Sequence, residues 1–272
     1  SNGANFDLYA SNVGENPIGK HLSIQAASSI LFDSDAGSPD DPWCADCDKI
    51  RLSGNLTGLA GHPSTGGDLT LHAGENITLR TPIQTNGRRS SFGELGGDIT
   101  LIAAGNITLE APIITNGATK AGAIQIKAND DVFVGNEARF ETNTRNFGAT
   151  GSVRVEGAEV TFDGVLESRT TTGSVDGGKA WFLAWEQLTL TSLSQLILTG
   201  NNGAKGGTVR IDVINRGGDT LPSAIDGVIM AQSDHSEDDR VGAGGVVSIH
   251  SKAPIRVNGT INTTGGPPTD AG

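Results

Sequence analysis

Short runs of alternating apolar and polar residues recur along the chain. One unit has Leu69 and Leu71, followed by Ile77 and Leu79, with a polar residue between the members of each pair. Later units repeat these pairs of apolar residues: Ile99 and Leu101, Ile124 and Ile126, Val153 and Val155, Val209 and Ile211, and Val247 and Ile249. A period of two residues places alternate side chains on opposite faces of a strand. The pattern therefore predicts short strands that each bury one face.

Two segments of the chain are close copies of each other. GGDLTLHAGENITLRTPIQTNG, residues 66–87, aligns without a gap with GGDITLIAAGNITLEAPIITNG, residues 96–117, at a spacing of thirty residues. An irregular earlier unit begins near Lys20, and weaker copies follow at Gly122, Gly151, Gly178, Gly207 and Gly245. Self-similarity at such a period is typical of a solenoid, in which each unit buries its apolar side against its neighbours.

The strand pattern and the repeat together predict the fold. Two or three short strands per unit describe one coil of a parallel β-helix, whereas a propeller blade needs about 40 residues and four antiparallel strands. We predict an all-β protein with a single right-handed parallel β-helix of about eight coils over residues 1–272. The handedness follows the general rule for parallel crossovers. Two insertions are expected, a Cys-bearing loop at 33–49 and an acidic loop at 219–240.

Asparagines recur at equivalent places in the repeat. Stacking the two thirty-residue units puts Asn76 over Asn106 and Asn86 over Asn116. Stacked asparagines can form hydrogen bonds along the axis of such a stack of strands. We therefore interpret the Asn-x-Thr sequences at Asn76 and Asn106 as turn or ladder positions rather than as glycosylation sites.

Composition and charge limit the secondary structure and the possible partners of the chain. The 39 glycines suit strands and turns, because a glycine inside a helix costs about 1 kcal/mol. The net charge of −12 excludes nucleic acid as a partner, since binding to phosphates depends on clustered Lys and Arg. The chain has no apolar run long enough to span a membrane. Its first residues, SNGANF, lack both an initiator Met and an apolar signal, so we expect a processed N-terminus.

The only two cysteines, Cys44 and Cys47, lie in the segment DPWCADCDK. Two ligands are too few for a zinc site, and the βαβ setting of a thioredoxin-like redox pair is missing. We predict a disulfide that staples a loop, and the sequence leaves open whether it forms within or between chains. No cofactor is expected. Calcium at Asp130 and Asp131 is an alternative that the spacing of nearby oxygen ligands does not support.

The segments GGDLTLHAGENITL and GGDITLIAAGNITLEAPIITNG resemble the repeats of filamentous-haemagglutinin-type exoproteins, the large two-partner-secreted β-helices of bacterial surfaces. The resemblance extends as a pattern over residues 66–266. It implies a secreted, extracellular adhesin, or a scaffold of cell-surface filaments and biofilm matrix. It also implies a rod without catalytic residues.

A catalytic or ligand-binding β-helix is the alternative function. Acidic residues and a histidine cluster in one predicted loop: Asp234, His235, Glu237, Asp238 and Asp239. A glycosidase needs two carboxyl groups across the sugar bond, one of them protonated. Nothing in the sequence indicates a carboxyl group held protonated, so we expect no enzyme. A protein that binds or cleaves a polysaccharide would instead bring acidic residues of neighbouring coils together in a cleft. Ice binding would need ladders of Thr-x-Thr, which the sequence lacks.

One group of outward positions predicts an interaction surface. Counting from the start of each coil places Trp181 between Arg154 and Arg210, at a spacing that permits cation–π contacts. Leu183 and Trp185 point to the same side. Large apolar side chains that project together usually mark a binding site, so we expect a sugar ring or a second copy of the chain here. The alternative is that a loop of the same chain covers them.

The ends of the predicted rod suggest self-association. A β-helix has no lateral edges, but its two ends expose unpaired strands. A head-to-tail contact between such ends propagates into a filament unless it closes into a ring. We therefore expect a homo-oligomer or filament, with a surface glycan or receptor as a further possible partner.

Overall fold

The alternating segments form parallel strands that stack coil upon coil. A computed structural model of the chain describes residues 68–265 except 81, 87–94, 146–147, 171–174, 202, 216–221 and 234–241, together with the backbone of four earlier strands between 22 and 57. The described residues form 23 strands and no helix, and every strand pair is parallel. They thus hold no helix of the length and apolarity needed to cross a membrane. The predicted all-β parallel solenoid is confirmed, and its right-handed sense stays a prediction.

The strands, numbered in chain order, form three faces. Face 1 comprises β1 (Leu22–Ala26), β5 (Leu69–Ala73), β8 (Ile99–Ala103), β11 (Ile124–Ala128), the first halves of β14 (Ser152–Phe162) and β16 (Lys179–Leu190), β18 (Thr208–Val213) and β21 (Val246–Ser251). Face 2 comprises β2 (Ser29–Asp33), β3 (Lys49–Ser53), β6 (Ile77–Leu79), β9 (Ile107–Leu109), β12 (Val132–Val134), the second halves of β14 and β16, β19 (Ser223–Ile225) and β22 (Ile255–Val257). Face 3 is an eight-stranded sheet of β4 (Leu56–Thr57), β7 (Ile83–Gln84), β10 (Ile113–Ile114), β13 (Arg139–Glu141), β15 (Val165–Glu167), β17 (Gln195–Ile197), β20 (Val228–Met230) and β23 (Thr260–Asn262).

The inward side chains of equivalent coils lie directly over one another. Leu71 pairs with Leu101 on face 1, as the thirty-residue repeat predicts, and both are fully buried. Three phenylalanines from three faces and three coils fill the middle of the rod. The ring of Phe162 meets Phe140 and Phe182 edge to face, at centroid distances of 5.7 and 5.4 Å. This geometry is favourable for aromatic pairs, and the three rings belong to one cluster of buried apolar side chains that fills the interior of these coils.

Faces 1 and 2 join without a break in two coils. Strands β14 and β16 run through the corner, so that both faces belong to one 15-stranded sheet. The register shifts between Gly157 and Glu159, where the single residue Ala158 of β14 lies opposite Trp185 and Glu186 of β16. The extra residue of β16 forms a bulge, which bends a strand and re-aims the side chains beside it.

A column of glycines precedes face 1 in successive coils. A Cβ atom built on Gly122 would collide with the carbonyl oxygen of Gly97, and one built on Gly151 would collide with that of Gly122. Gly245 stands in the same relation to Gly207. The backbones of neighbouring coils approach so closely here that no side chain fits between them. Glycine is therefore required at this turn for the coils to stack in register.

Side-chain oxygens at the turns reinforce the stack. The Asn76 Oδ1 atom accepts a hydrogen bond of 2.7 Å from the backbone N–H of Asn106, whose own Oδ1 accepts one of 2.9 Å from Asp131. A parallel ladder links Asn86 to Asn116 at 2.8 Å, and it continues through Asn143 to Arg169. The predicted asparagine stacks are thus confirmed. The donor in each step is the backbone N–H of the next coil rather than the neighbouring amide.

The predicted acidic insertion at 219–240 is wrong for its middle part. Strands β19 and β20 lie inside it and belong to faces 2 and 3, where β19 pairs with β22 and β20 with β23. The long spacing between Gly207 and Gly245 thus comes from a complete coil with additional residues on either side of β19–β20. The other predicted insertion, 33–49, is flanked by β2 and β3, which pair with each other as neighbours on face 2.

The glycine column yields a stability prediction. We expect Gly122→Ala to destabilise the protein by about 1–3 kcal/mol or to prevent folding, because its methyl group overlaps the backbone of the preceding coil. Gly135→Ala is the matched control, since the nearest atom to its added Cβ lies at an ordinary 3.4 Å. Urea unfolding followed by circular dichroism measures both. Equal midpoints for the two variants would contradict the requirement for glycine.

Candidate interaction surfaces

The predicted outer patch on face 1 is a stack of charged and aromatic side chains. Strand register places Arg154 and Arg210 on either side of Trp181. The guanidinium carbon of Arg154 lies 3.9 Å from the centroid of the indole ring, and that of Arg210 lies 5.1 Å from it. Both distances fall within the range for cation–π attraction. The predicted contacts between these three residues are thus present.

Carboxylates hold this stack in place. The Trp181 Nε1–H donates a hydrogen bond of 2.7 Å to Asp212 Oδ2, which also accepts one of 2.7 Å from Arg210 Nε. Arg154 forms an ion pair with Glu156, a carboxylate that is almost fully buried. Each cation that covers the indole therefore has its own anion two residues along the same strand. Hydrogen bonds to charged groups are among the stronger ones in proteins, so these contacts hold Trp181 and the two arginines together.

This geometry changes the interpretation of the patch. Because the two arginines come from the strands on either side, both faces of the Trp181 ring are covered, and a sugar ring cannot stack on it. Leu183 is half-buried between Glu156 and Asp212 of the adjacent strands. Trp185 is also half-buried, at the bulge of β16. The structure brings the predicted residues together, but it uses Trp181 for contacts within the chain.

A second ionic cluster lies on face 3. Arg139 forms ion pairs with Glu141 and Glu167, and Glu167 also pairs with Arg169. Glu141 lies directly opposite Glu167 in the strand register, and the Glu167 carboxylate is buried. The arginines offset the repulsion between the two stacked carboxylates. This cluster was not predicted from the sequence.

The signal for both ionic clusters is present in the sequence. An arginine and an acidic residue stand two positions apart in four strands or their immediate ends: Arg139 and Glu141, Arg154 and Glu156, Glu167 and Arg169, and Arg210 and Asp212. Residues two apart share one face of a strand. The spacing could therefore have identified these four pairs as surface ion pairs.

The last described coil exposes part of the apolar core. Val257 and Ile261 point inward by register, yet 45% and 38% of their surfaces are exposed. The residues that they pair with in the preceding coil, Ile225 and Ile229, are fully buried. Strands β21, β22 and β23 each have a pairing partner on one side only in the described part of the chain. We call this surface the open end.

A groove runs beside face 1, at the turn that follows face 3. Its volume is about 700 Å³, and its lining comes from four successive coils. The charged residues of its rim are Asp98, Lys120, Asp176 and Lys179. This groove was not predicted from the sequence, because its residues are brought together only by the stacking of coils. It brings acidic residues from different coils, Asp98 and Asp176, into one cleft, as expected of a polysaccharide-binding protein.

Several predicted residues contribute no site in the described structure. Cys44, Cys47 and the acidic run from Asp234 to Asp239 lie outside the described residues, so their predicted roles stay predictions. Asp131 accepts a hydrogen bond from the backbone N–H of Glu159, as a ladder residue does. Across the described ranges, no group of three or more His, Cys, Asp or Glu side chains is placed to hold a metal ion.

Comparison with known proteins gives no relative for this chain. No protein-family description, no curated protein and no solved structure matches it. The likeness of residues 66–266 to filamentous-haemagglutinin-type repeats therefore stays a resemblance of sequence pattern.

The stack around Trp181 predicts a graded loss of stability. Trp181→Phe keeps a ring between the arginines but removes the hydrogen bond to Asp212, so we expect a loss of about 1 kcal/mol. Trp181→Ala removes both contacts and apolar burial, and should cost about 2 kcal/mol or more. Gln125→Ala, in the same column of face 1, is the control and should change the free energy of unfolding by less than about 0.5 kcal/mol. Urea midpoints for Trp181→Ala that match the unsubstituted protein would show that the stack does not hold the coils together.

Proposed function

We propose that this chain is an extracellular structural rod that associates end to end into filaments and serves adhesion or a surface or biofilm matrix. The filled interior of the described coils supports a role that depends on shape and outer surface. The extracellular setting rests on the resemblance to filamentous-haemagglutinin-type repeats. The observation on which the proposal chiefly depends is the open end.

The open end combines the two properties of an interface between copies. Its inward-pointing side chains, such as Val257 and Ile261, are as apolar as a protein core and are exposed. Burying this apolar surface would stabilise an assembly by roughly 25 cal/mol for each Å² removed from water. Its strand edges also offer N–H and C=O groups that a further strand can satisfy.

The opposite end of the rod offers a matching partner. Strand β1 pairs with β5 and with no other described strand. Its residues Leu22 and Ile24 share the phase of the buried Leu69 and Leu71, with which they pair. A second copy that placed β21 against β1 would therefore continue face 1 in parallel, with apolar positions in phase. On face 2 the end strand is β3, which lies one level beyond β2, so β3 would have to be displaced for β22 of that copy to reach β2. Such a contact joins two different surfaces, so that it propagates along one axis.

The proposal predicts that a charge at the open end blocks assembly. The unsubstituted chain should form rods whose length grows in steps with protein concentration, whereas Val257→Glu and Ile261→Glu should remain single, because a carboxylate cannot be buried in the apolar contact. Leu193→Glu is the matched control, since Leu193 is 57% exposed on the side of the rod and should not affect association. Analytical ultracentrifugation and electron microscopy measure both.

Two outcomes would overturn the proposal. One is a chain that stays a single short rod at every concentration tested. The other is an assembly that Val257→Glu and Leu193→Glu weaken equally, which would place the contact on the sides of the rod.

A further inference from the structure

The groove beside face 1 has the size and shape of a site for a chain-like ligand. Its volume of about 700 Å³ lies within the usual range for ligand sites, roughly 300–1,000 Å³. Its lining extends from Asp98 through segments 120–123 and 148–152 to segment 175–179. Consecutive coils are separated by about 4.8 Å, so the groove is roughly 14 Å long. A ligand that fills it lies parallel to the rod axis.

The floor of the groove does not suit an apolar ligand. Gly151 and Gly178 occupy positions where a Cβ atom would overlap neighbouring atoms of the protein, and three alanines, Ala121, Ala123 and Ala149, also line the groove. Val175 is the one larger apolar side chain in the lining. Such a floor is flat and offers little apolar surface to bury, so that hydrogen bonds and charges have to provide the affinity.

Backbone pairing is not available to a ligand in the middle of the groove. The Ala121 N–H donates to the Ala149 carbonyl, the Gly151 N–H donates to the Thr142 carbonyl, and the Gly177 N–H donates to the Lys205 carbonyl. An extended peptide that binds by strand addition needs such groups to be unpaired. Recognition in this groove is therefore left to side chains.

The side chains of the rim present both charges. The Oδ1 atom of Asp98 accepts a hydrogen bond of 2.7 Å from the Ala123 N–H, and that of Asp176 accepts one of 2.9 Å from the Lys205 N–H. These bonds fix the two carboxylates and leave each a second oxygen as an acceptor. Lys120 and Lys179 are exposed and have no ion pair or side-chain hydrogen bond within the described part of the chain. The groove thus offers two ammonium groups together with fixed acceptors.

We propose that this groove binds an acidic oligosaccharide, a chain of sugar units that carries carboxylates. Lys120 and Lys179 pair with the carboxylates of the ligand, and Asp98 and Asp176 accept hydrogen bonds from its hydroxyl groups. Thr150 and Ser152 lie between them in the lining. The Thr150 hydroxyl donates to the Asp176 carbonyl and can accept from a ligand, whereas the Ser152 hydroxyl can donate or accept. Charge-assisted hydrogen bonds of this kind are stronger than neutral ones and give orientation as well as affinity.

The same geometry favours binding over cleavage. Asp98 belongs to the level of β8, and Asp176 precedes β16, three coils further along. The two carboxylates are therefore roughly 14 Å apart along the axis at 4.8 Å per coil. Glycosidases place their two carboxyl groups about 5–9.5 Å apart. We expect the ligand to leave this groove unchanged.

The test is calorimetric titration with two defined probes, a hexamer of galacturonic acid and a neutral hexamer of glucose. We expect the acidic hexamer to bind at least tenfold more tightly than the neutral one. The double variant Lys120→Gln with Lys179→Gln should lose at least tenfold in affinity for the acidic hexamer. Lys252→Gln, an exposed lysine of the last described coil that lies outside the groove lining, is the matched control and should leave the affinity unchanged.

A steric variant separates the groove from general attraction between charges. Ala149 is exposed in the lining, so Ala149→Trp fills the groove without entering the core and should abolish binding. Failure of the acidic hexamer to bind, or equal binding by Ala149→Trp with an unchanged circular dichroism spectrum, overturns the proposal. Equal affinity for a glutamate hexapeptide overturns the assignment to a sugar. Because the groove is on the side of the rod, these results are independent of end-to-end assembly.

Discussion

The close approach of successive coils at the turn before face 1 is the constraint on which the rest of the structure depends. Parallel strands pair only when their backbones are about 4.8 Å apart, and at this turn the carbonyl of one coil occupies the space of a Cβ atom in the next. Gly122 and Gly151 allow that approach. Once the coils are held at this distance, equivalent positions lie over each other. Each inward position then forms a column of buried side chains along the rod, and these columns make up a continuous core. The same stacking lets Asn76 and Asn116 bond to the coil above.

The stacking also determines which side chains the outer surface can carry. On a solenoid, every outward residue meets its equivalents in the two neighbouring coils, so that like charges repel and unlike charges pair along a column. Glu141 and Glu167 are stacked carboxylates, and Arg139 and Arg169 offset their repulsion. On face 1, arginines enclose an indole instead of a carboxylate. These contacts occupy side chains that would otherwise bind a partner. Binding surfaces are therefore left to positions where the column is interrupted, at a turn or at an end.

The sequence predicted those features that repeat and missed those that do not. The solenoid and the asparagine ladders follow from two units that align residue for residue. Trp181 could be placed between two arginines because the offset from each leading glycine is constant. Whether the arginines cover its ring depends on side-chain conformations, which the sequence pattern does not predict. Strands β19 and β20 have the sequences SAI and VIM, which lack the apolar–polar–apolar order of Ile77–Leu79, so their segment resembled a loop. The groove joins residues about 80 positions apart, from Asp98 to Lys179, through turns that have no common motif.

The backbone hydrogen bonds between coils have a mechanical consequence. They are directed along the rod axis, because each joins a strand to its equivalent in the next coil. A pull on the two ends therefore loads the junctions between coils in series, and every junction experiences the whole force. In the junction between the coil of β16 and the coil of β18 and β19, face 2 has only two residue pairs in register, whereas face 1 has six. Under tension this junction would open first along face 2, and the rod would lengthen one coil at a time instead of breaking at once.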